Sequence, residues 1–488
     1  MAPSGGTWRF CRHAIDFALM NRIGHVLVLA AAALLPPQDT RAQPWPPALA
    51  DESRRLLQDL VAIDTSAPGG STMPAAVLLA GYLRSAGFPP DDVQVLGPRD
   101  THANLVARLR GRGTARPVLF LAHLDVVPAS RDDWSTDPFA LVEKDGYLYG
   151  RGTIDDKQFC AAFAAAFAQL KREGFVPAGD LILALTAGEE TGADAATNGV
   201  MWLLRDHRSL VDAAYVVNGD AGGGGIADDG RYLAFGVQAG EKLYADFTLE
   251  ASHEGGHSSR PVKDNPIYRL ASALRRVEAM AMPLRVSEVT RPLLAFLATV
   301  ESGSKADDLR AAAAARPDPE ALARLASTDP SLNAQLRTTC VATEVSGGHA
   351  PNALPQRARA TVNCRLLPGD TPDAVKAAIV SAVGDPAVTV TRSSGFPVPA
   401  PVRLNPAVMA LVSQAAAAVW PGVPVIPVLE VGGTDGFHFR QAGIDVYGVN
   451  HFQRDEDARA HGRDERIGIR QFEEAVHFSY QLARTVGR

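Results

Sequence analysis

The sequence is poor in cysteine. Its 488 residues include only Cys11, Cys160, Cys340 and Cys364, and no two of these form a Cys-x-x-Cys pair. Cys11 is expected to lie outside the mature chain, which leaves an odd number of thiols. This count argues against a disulfide framework. We therefore expect the remaining cysteines to behave as small, buried apolar residues.

Long apolar runs are also scarce. The run Val26–Leu35 has ten residues, which is too short to span a bilayer as a helix. Small residues stand at the −3 and −1 positions before Gln43, as a signal-peptide cleavage site requires. We expect a signal peptide over residues 1–42, with Met20 as the initiator, and a periplasmic or secreted product. No membrane contact is expected after the signal is removed.

The sequence has no surplus of positive charge. It carries 48 Lys and Arg residues against 54 Asp and Glu residues, a formal net charge of −6. A nucleic-acid-binding surface normally requires the opposite balance, so nucleic acid is not an expected partner. The glycine-rich segment Gly150–Lys157 contains the adjacent carboxylates Asp155 and Asp156 and lacks the phosphate-loop pattern Gly-x4-Gly-Lys-Ser/Thr.

Regular alternation of strands and helices is the first positive feature. From residue 117 to 237, short apolar segments alternate with helical ones, of which Gln158–Arg172 is the clearest. Two helices, Ser53–Ile63 and Met73–Ala86, and an edge strand, Asn104–Leu109, are predicted before them. This order predicts a doubly wound, mixed α/β sheet.

A second pattern begins near Gly236. The order of elements becomes β-α-β-β-α-β, which is typical of a ferredoxin-like α+β unit, and a helical stretch at Lys305–Ala326 interrupts it. The predicted segments are Lys242–Ala251, Asn265–Met280, Leu336–Ser346, Arg357–Leu367, Thr371–Val383 and Ala387–Arg392. We expect a catalytic domain at 43–237 and 397–488, with a lid or dimerisation domain inserted at 238–396.

Acidic and imidazole side chains follow several predicted strands. His123, Asp155, the pair Glu189 and Glu190, and Asp220 each come just after an apolar segment. Ligands of open α/β sheets bind beyond the carboxyl ends of the strands, so these groups could share one cleft. With a second His, His461, the set suits a divalent metal, and zinc is the leading candidate.

Each of these groups also has an ordinary structural explanation. Asp156 precedes the predicted helix, and we assign it a role as N-cap. Glu189 and Glu190 could be a solvated surface pair, and Asp220 could be a turn residue. Asp125 lies two residues after His123 in a strand, so its carboxylate could accept a proton from the imidazole and fix its tautomer.

Taken together, the motifs resemble a known family. The chain is similar to the co-catalytic zinc metallopeptidases that include glutamate carboxypeptidase, aminoacylase, succinyl-diaminopimelate desuccinylase and vacuolar carboxypeptidase S. The resemblance covers roughly residues 50–485. The matching segments are HLD at 123, YGRGTIDDK at 149, TAGEETG at 186, NGD at 218, GGHSSRP at 255, PNALP at 351, GGTDGFHFR at 432 and HGRDERI at 461.

The resemblance implies a set of metal ligands. Asp155 would bridge two zinc ions, with His123 and Asp220 completing one site and Glu190 and His461 the other. Cobalt or manganese could substitute. Three carboxylates and a bridging hydroxide would neutralise the two cations.

The resemblance also implies catalytic and substrate-binding residues. Glu189 would be the general base, Asp125 the partner of His123, and His257 the group that polarises the substrate carbonyl across a dimer interface. The weaker candidates for binding substrate are Asn352, Arg365, Gly433 and Thr434.

Two other histidines compete with His461 as the final ligand. His438 and His451 are assigned instead to pocket or structural positions, because His461 begins the HGRDERI segment. Phe437 stands where relatives carry an Arg, so this turn is not expected to bind a carboxylate.

These features predict an exported two-zinc hydrolase of peptide or amide bonds, of carboxypeptidase or dipeptidase type. The alternative is an N-acyl amino acid amidohydrolase resembling aminoacylase, and a remote alternative is a non-catalytic binding protein. The expected partners are a small peptide or N-acyl amino acid substrate and a second copy of the chain, through the inserted domain.

Overall fold

The structure is a computed structural model that describes residues 46–192, 194–395 and 402–488. The predicted signal peptide, its cleavage site, Met20 and the boundary at 396/397 lie outside the described residues. Among the helices in the described ranges, none combines the length and apolar character needed to cross a membrane.

The helices are numbered here in chain order. Within the described ranges the α-helices are α1 Pro47–Val61, α2 Met73–Ser85, α3 Lys157–Arg172, α4 Gly199–Asp206, α5 Arg208–Val211, α6 Pro266–Glu278, α7 Thr290–Val300, α8 Gly303–Ala313, α9 Pro319–Thr328, α10 Pro330–Leu336, α11 Pro372–Val383, α12 Pro406–Val419, α13 Gly436–Gln441 and α14 Ile469–Val486.

The strands are numbered in the same way. They are β1 Val93–Arg99, β2 His102–Leu109, β3 Val118–His123, β4 Val142–Lys144, β5 Tyr147–Tyr149, β6 Leu181–Thr186, β7 Tyr215–Asn218, β8 Gly223–Ile226, β9 Tyr232–Glu241, β10 Leu243–Ser252, β11 Gly256–His257, β12 Thr339–Gly347, β13 Ala353–Leu354, β14 Arg357–Leu366, β15 Val388–Gly395, β16 Val425–Glu430, β17 Asp445–Gly448, β18 Phe452–Gln453 and β19 Arg466–Gly468.

The larger sheet is mixed, with helices on both faces. Its order is β1-β2-β6-β3-β7-β17-β9-β8-β18, and β16 pairs with β9. Alternate residues of β3 face opposite layers: Phe120 packs in the core that contains α1, α3 and α14, whereas Leu119 and Leu121 pack in the core that contains α4 and α13. The predicted α/β class is confirmed. The prediction that Asn104–Leu109 forms an edge strand is wrong, because β1 pairs outside β2.

Helix α3 is almost entirely buried and fixes the start of a functional loop. Its small and aromatic residues pack against β3, and the Phe120 ring lies 5.2 Å from Phe163 and 5.4 Å from Phe167 in edge-on geometry. Such pairs add about 0.5–1.5 kcal/mol each beyond area burial. This packing holds the first turn of α3, and hence Asp155 just before it, against the end of β3.

The smaller sheet has the order β12-β14-β10-β15 and is antiparallel throughout. Helices α6 and α11 pack on one face and share its core with residues such as Phe247 and Ile379. In sequence order the strands are arranged 2-3-1-4, so the predicted ferredoxin-like unit is confirmed. The exact domain boundaries remain a prediction.

The helical stretch inside this unit is longer than the expected Lys305–Ala326. Four helices, α7–α10, form it, and they share a separate small core that includes Leu294, Leu309 and Leu325. The helix at Lys305–Ala326 resolves into α8 and α9, because Pro317 and Pro319 separate two short amphipathic segments.

The expectation of no disulfide is wrong. Cys340 and Cys364 form a disulfide between β12 and β14, where the two residues are direct partners in the antiparallel register. The odd count misled because the third cysteine, Cys160, is free and buried, as was expected of all three. Strand register, which the sequence does not display, decided the pairing.

Candidate metal centre and active site

The site lies at the carboxyl ends of three neighbouring parallel strands. Strand β3 pairs in parallel with β6 on one side and β7 on the other. His123 is the last residue of β3, Glu189 and Glu190 follow β6, and Asp220 follows β7. The shared direction of the strands brings these groups together, as the positions of the apolar runs predicted.

Asp155 lies between two imidazoles. Its Oδ1 atom is 2.9 Å from His123 Nε2, and its Oδ2 atom is 3.0 Å from His461 Nε2. Asp220 Oδ1 lies 3.7 Å from His123 Nε2, and Glu190 lies 3.1 Å from His461 Nε2. The structure therefore brings all five predicted metal ligands together, in the two predicted groups around Asp155.

The donor atoms fit divalent cations. Ligand atoms lie within 4.8 Å of one another in three groups: His123, Asp155 and Asp220; Asp155, Glu190 and His461; and His123, Glu189 and Glu190. Nitrogen and carboxylate oxygen donors in sets of three are typical of catalytic zinc sites, which keep a position open. The donor set thus fits a pair of such ions.

The charges of the cluster also fit cations. Burial, together with nearby Asp155 and Glu190, raises the pKa of Asp220 to about 7. Hydrogen bonds to Asp155 and Glu190 raise the pKa of His461 to about 10. Burial alone would lower the pKa of His123, but hydrogen bonds with Asp155 and Asp220 hold it well above its ordinary value. Excess negative charge thus attracts protons here, and metal cations would satisfy the same demand.

Asp125 acts differently from the expectation. The partner of His123 Nδ1 is the main-chain carbonyl of Asp125 at 2.9 Å, whereas the carboxylate is 3.9 Å away. The carboxylate accepts backbone N–H groups from Gly188, Glu189 and Glu190, at 2.7, 3.2 and 3.1 Å. Three donors in one turn attract the carboxylate more strongly than one imidazole does. Asp125 therefore fixes both His123 and the loop that carries the two glutamates.

Glu189 has the surroundings of an acid–base group. Its donor atoms lie within 4.8 Å of those of His123 and Glu190. Burial and the nearby negative charge of Asp220 raise its pKa well above the ordinary value. A carboxyl group with a raised pKa can both accept and return a proton near neutral pH.

Two residues that sequence reasoning missed hold the loop around Asp155. Glu465 is fully buried, and its Oε1 atom accepts the N–H groups of Gly152, Ile154 and Asp155. Its Oε2 atom accepts a 2.6 Å hydrogen bond from Arg151 Nη1. Glu465 lies in the HGRDERI segment, but nothing in the sequence indicates which backbone it contacts.

A third missed residue, Asp435, supports the loop after β6. It is 4 % exposed, and its carboxylate accepts hydrogen bonds from Thr186 Oγ1 at 2.9 Å and Asn198 Nδ2 at 2.7 Å. Asp156 also departs from expectation. It stands at the N-cap position of α3, but its side chain makes no capping bond and instead accepts the His123 N–H at 3.3 Å. The prediction of capping by Asp156 is therefore wrong.

A polar pocket of about 340 Å³ opens beside the cluster. Glu189, Glu190, His438 and His461 line the pocket. Three of the predicted substrate-binding residues also line it, namely Arg365, Gly433 and Thr434. The Arg365 guanidinium lies 5.0 Å from the centre of the Tyr244 ring. Thr434 is tied to Glu241 through both its N–H and its hydroxyl. The pocket can therefore admit a small polar group beside Glu189.

The remaining predicted residues lie elsewhere. His257 and Asn352 are exposed on the β11–β13 ladder and the turn before it, and His257 Nδ1 lies 2.8 Å from Ser259 Oγ. Within the described ranges the structure gives no contact between them and the cluster. His451 is buried beside Gln158, whose Nε2 lies 2.9 Å from His451 Nδ1, which is a structural position.

Comparison with known proteins reports the same resemblance. The family model described as "Peptidase family M20/M25/M40" matches residues 119–485 of this chain. The human N-fatty-acyl-amino acid synthase/hydrolase is 30% identical over 389 residues, which cover 75% of this chain and 73% of that protein. The probable carboxypeptidase S-like 2 of Dictyostelium discoideum is 27% identical over 387 residues, 76% and 71% of the two chains. A metallo-carboxypeptidase structure from Sulfolobus solfataricus superimposes with a TM-score of 0.65 at 17% identity, and the match covers 90% and 99% of the two chains.

Proposed function

Because the chain belongs to peptidase family M20/M25/M40, and is thus a metal-dependent hydrolase of peptide or amide bonds, we propose that it uses two zinc ions to cleave N-acyl amino acids. The observation that carries the proposal is the position of Asp155, with one carboxylate oxygen facing each of His123 and His461. A carboxylate shared in this way, with Asp220 on one side and Glu190 on the other, suits a pair of cations.

When bound, two divalent cations supply Lewis acidity and bring the ionisation of water close to neutral pH. The protein groups do the rest. Glu189 takes the proton of the attacking water and returns it to the leaving amine nitrogen as the amide bond breaks. Asp125 keeps Glu189 and Glu190 in place through their backbone N–H groups. Glu465 does the same for Asp155.

The choice of an N-acyl amino acid rests on the human relative, whose name gives N-fatty-acyl-amino acids, and which is similar along three quarters of this chain. Cleavage of a peptide from its carboxyl end is the second candidate, because the Dictyostelium relative is similar over almost the same length. Export through a signal peptide at residues 1–42, and a homodimer that brings His257 to a second active site, are parts of the same proposal.

Substitution of Glu189 tests the proposal. Glu189→Gln keeps the shape of the side chain but removes the proton acceptor, so kcat should fall about 10²–10⁴-fold. Elemental analysis should still find two metal ions per chain. The assay compares N-acyl amino acids with dipeptides on protein reconstituted with zinc, cobalt or manganese.

The matched control is Glu320→Gln, because Glu320 is exposed on α9. It should keep both metals and full turnover. Wild-type turnover in a two-metal Glu189→Gln protein would rule out the assigned base. A metal content of one or none in the wild type would rule out the paired site.

A further inference from the structure

We propose that a second cleft, whose wall includes residues close in sequence to three of the proposed metal ligands, holds the unbranched acyl chain of the substrate. The cleft has a volume of about 670 Å³ and is called the acyl cleft below. Volumes of 300–1,000 Å³ are usual for small-molecule sites. The inference rests on the proposed hydrolysis of N-acyl amino acids and names the part of the molecule that selects the acyl group.

The lining of the acyl cleft is mainly apolar, although Gln335, Asn450 and His451 also contribute to it. Leu233 from β9 and Ile426 and Val428 from β16 line one side, and Leu293 and Phe296 from helix α7 line another. Helix α10 contributes Ala334 to the same cleft. The helical insertion α7–α10 thus covers a space beside the large sheet. Such walls favour contact with a hydrocarbon chain, because the contact removes apolar surface from water.

Parts of the wall of the acyl cleft lie close to the proposed metal ligands. Three wall residues are close in sequence to proposed ligands: Ile154 directly precedes Asp155, Gly222 is two residues after Asp220, and Ala458 is three residues before His461. Consecutive Cα atoms are about 3.8 Å apart, so these wall residues lie within roughly 4, 8 and 11 Å of the ligands. The proposal therefore places the carbonyl carbon of the substrate at the metal centre and its acyl chain along this wall.

A run of glycines keeps the wall of the acyl cleft free of side chains. Gly222 directly precedes strand β8, and Gly223, Gly224 and Gly225 are its first three residues. All four glycines line the cleft. A Cβ atom on Gly224 would come within 2.1 Å of the Phe452 ring, so Gly224 is needed for close packing. A Cβ atom on Gly225 would meet only Leu233 Cδ1, at 3.5 Å. Gly225 is therefore a position where a larger side chain can be placed to narrow the cleft.

Charge distribution gives the direction of the substrate. The acidic residues that border the acyl cleft, Asp228 and Glu456 among them, are exposed to solvent, and the less exposed part of the lining carries no carboxylate. The polar pocket, with Arg365, lies on the side of Glu189 and Glu190. The amino-acid half of the substrate therefore suits the polar pocket, and the hydrocarbon half suits the acyl cleft.

Chain-length dependence tests the inference. We would measure kcat/KM for one amino acid carrying unbranched acyl groups from acetyl to hexadecanoyl, each below its micelle concentration. Each methylene that enters the cleft should raise kcat/KM about 4-fold, which corresponds to about 0.8 kcal/mol, until the cleft is full. Free fatty acids of the same lengths, titrated calorimetrically into the metal-loaded protein, should bind more tightly as the chain lengthens, so that Kd falls by a similar factor per methylene.

Two variants narrow the cleft and one serves as their control. In Ala334→Phe, the ratio of kcat/KM for the dodecanoyl and acetyl substrates should fall at least about 10-fold, since a phenyl ring displaces two or more methylenes. Gly225→Leu should have the same effect, and it tests the cleft from strand β8 if Ala334→Phe does not fold. Ala295→Phe makes the same change on the exposed side of α7 and should leave the ratio unchanged.

Any of three results would overturn the inference. The first is a kcat/KM and a fatty-acid Kd that do not change with chain length while the acetyl substrate is still hydrolysed. The second is equal behaviour of Ala334→Phe and Ala295→Phe toward long chains. The third is a preference for dipeptides with bulky apolar side chains over every acyl chain. An absence of any N-acyl hydrolysis, with fatty acids still binding according to length, would refute the proposed function and leave the cleft in place.

Discussion

Replacement of Asp125 by Asn should uncouple the metal centre from its supporting loop. The Asp125 carboxylate accepts three backbone N–H groups, with two on Oδ1 and one on Oδ2. An amide has one oxygen, so in either orientation its NH₂ group must face at least one of these N–H donors. At least one charge-assisted hydrogen bond is lost, at a cost of about 1.5–3 kcal/mol.

The loss should appear as weaker metal binding and slower turnover. Because the loop positions Glu189 and Glu190, part of this energy is transferred to the metal site that includes Glu190 and to the base. Substitution of such supporting groups typically costs about 10–100-fold in metal affinity or activity. Chelator competition would give the two metal affinities, and kcat/KM would be measured at saturating zinc.

Asp180→Asn is a matched control for this change. Asp180 also accepts a backbone N–H, from Gly111 at 2.8 Å, and pairs with Arg108 at 3.0 Å, but it lies just before β6, at the far end of that strand from the site. It should lower the free energy of unfolding and leave metal affinity within about twofold, since distant sites act independently. An Asp125→Asn protein with wild-type metal affinity and turnover would refute the reasoning.

Two further predictions concern stability. Cys340→Ser should lower the free energy of unfolding by about 3 kcal/mol, because the disulfide closes a loop of 24 residues. Reductant should lower the melting temperature of the wild type but not that of the variant. An equal response of both proteins would contradict this prediction. Burial lowers the pKa of His451 from 6.5 to about 4, so the unfolded chain binds a proton that the folded chain rejects between those values. The contribution of His451 to the free energy of unfolding is therefore fully present above about pH 6.5 and falls by up to about 3 kcal/mol as the pH drops toward 4. Chemical denaturation of metal-free protein should show a shallower decline of this free energy with falling pH in His451→Gln than in the wild type. Parallel curves for the two proteins would contradict this prediction.

The fold and the convergence of the candidate metal ligands could be predicted from the sequence for a physical reason. Parallel strands buried on both faces are continuous apolar runs, so the residue at which a run stops, such as His123 or Asp220, marks the edge of the sheet. The ferredoxin-like unit could also be predicted, because β14 alternates between buried and less buried residues along its whole length. Helix and strand periodicity therefore carried most of the architecture.

Contacts between segments that are distant in sequence could not be predicted. Nothing local indicates that Cys340 faces Cys364, that Glu465 collects the backbone N–H groups around Asp155, or that Asp125 turns its carboxylate toward Gly188. These contacts depend on strand register and on competition among several hydrogen-bond donors, and both are set by tertiary packing. The edge-strand error had the same origin, since β1 has too weak a pattern to reveal its pairing.

The proposed ligands are spread from His123 to His461 across a chain of 488 residues. During synthesis the amino-terminal strands can begin to fold, yet the final imidazole is made 338 residues after His123. An incomplete nascent chain would therefore carry most of the carboxylates without being able to hydrolyse its neighbours. Hydrolytic activity is in this way postponed until the segment that carries His461 has been made.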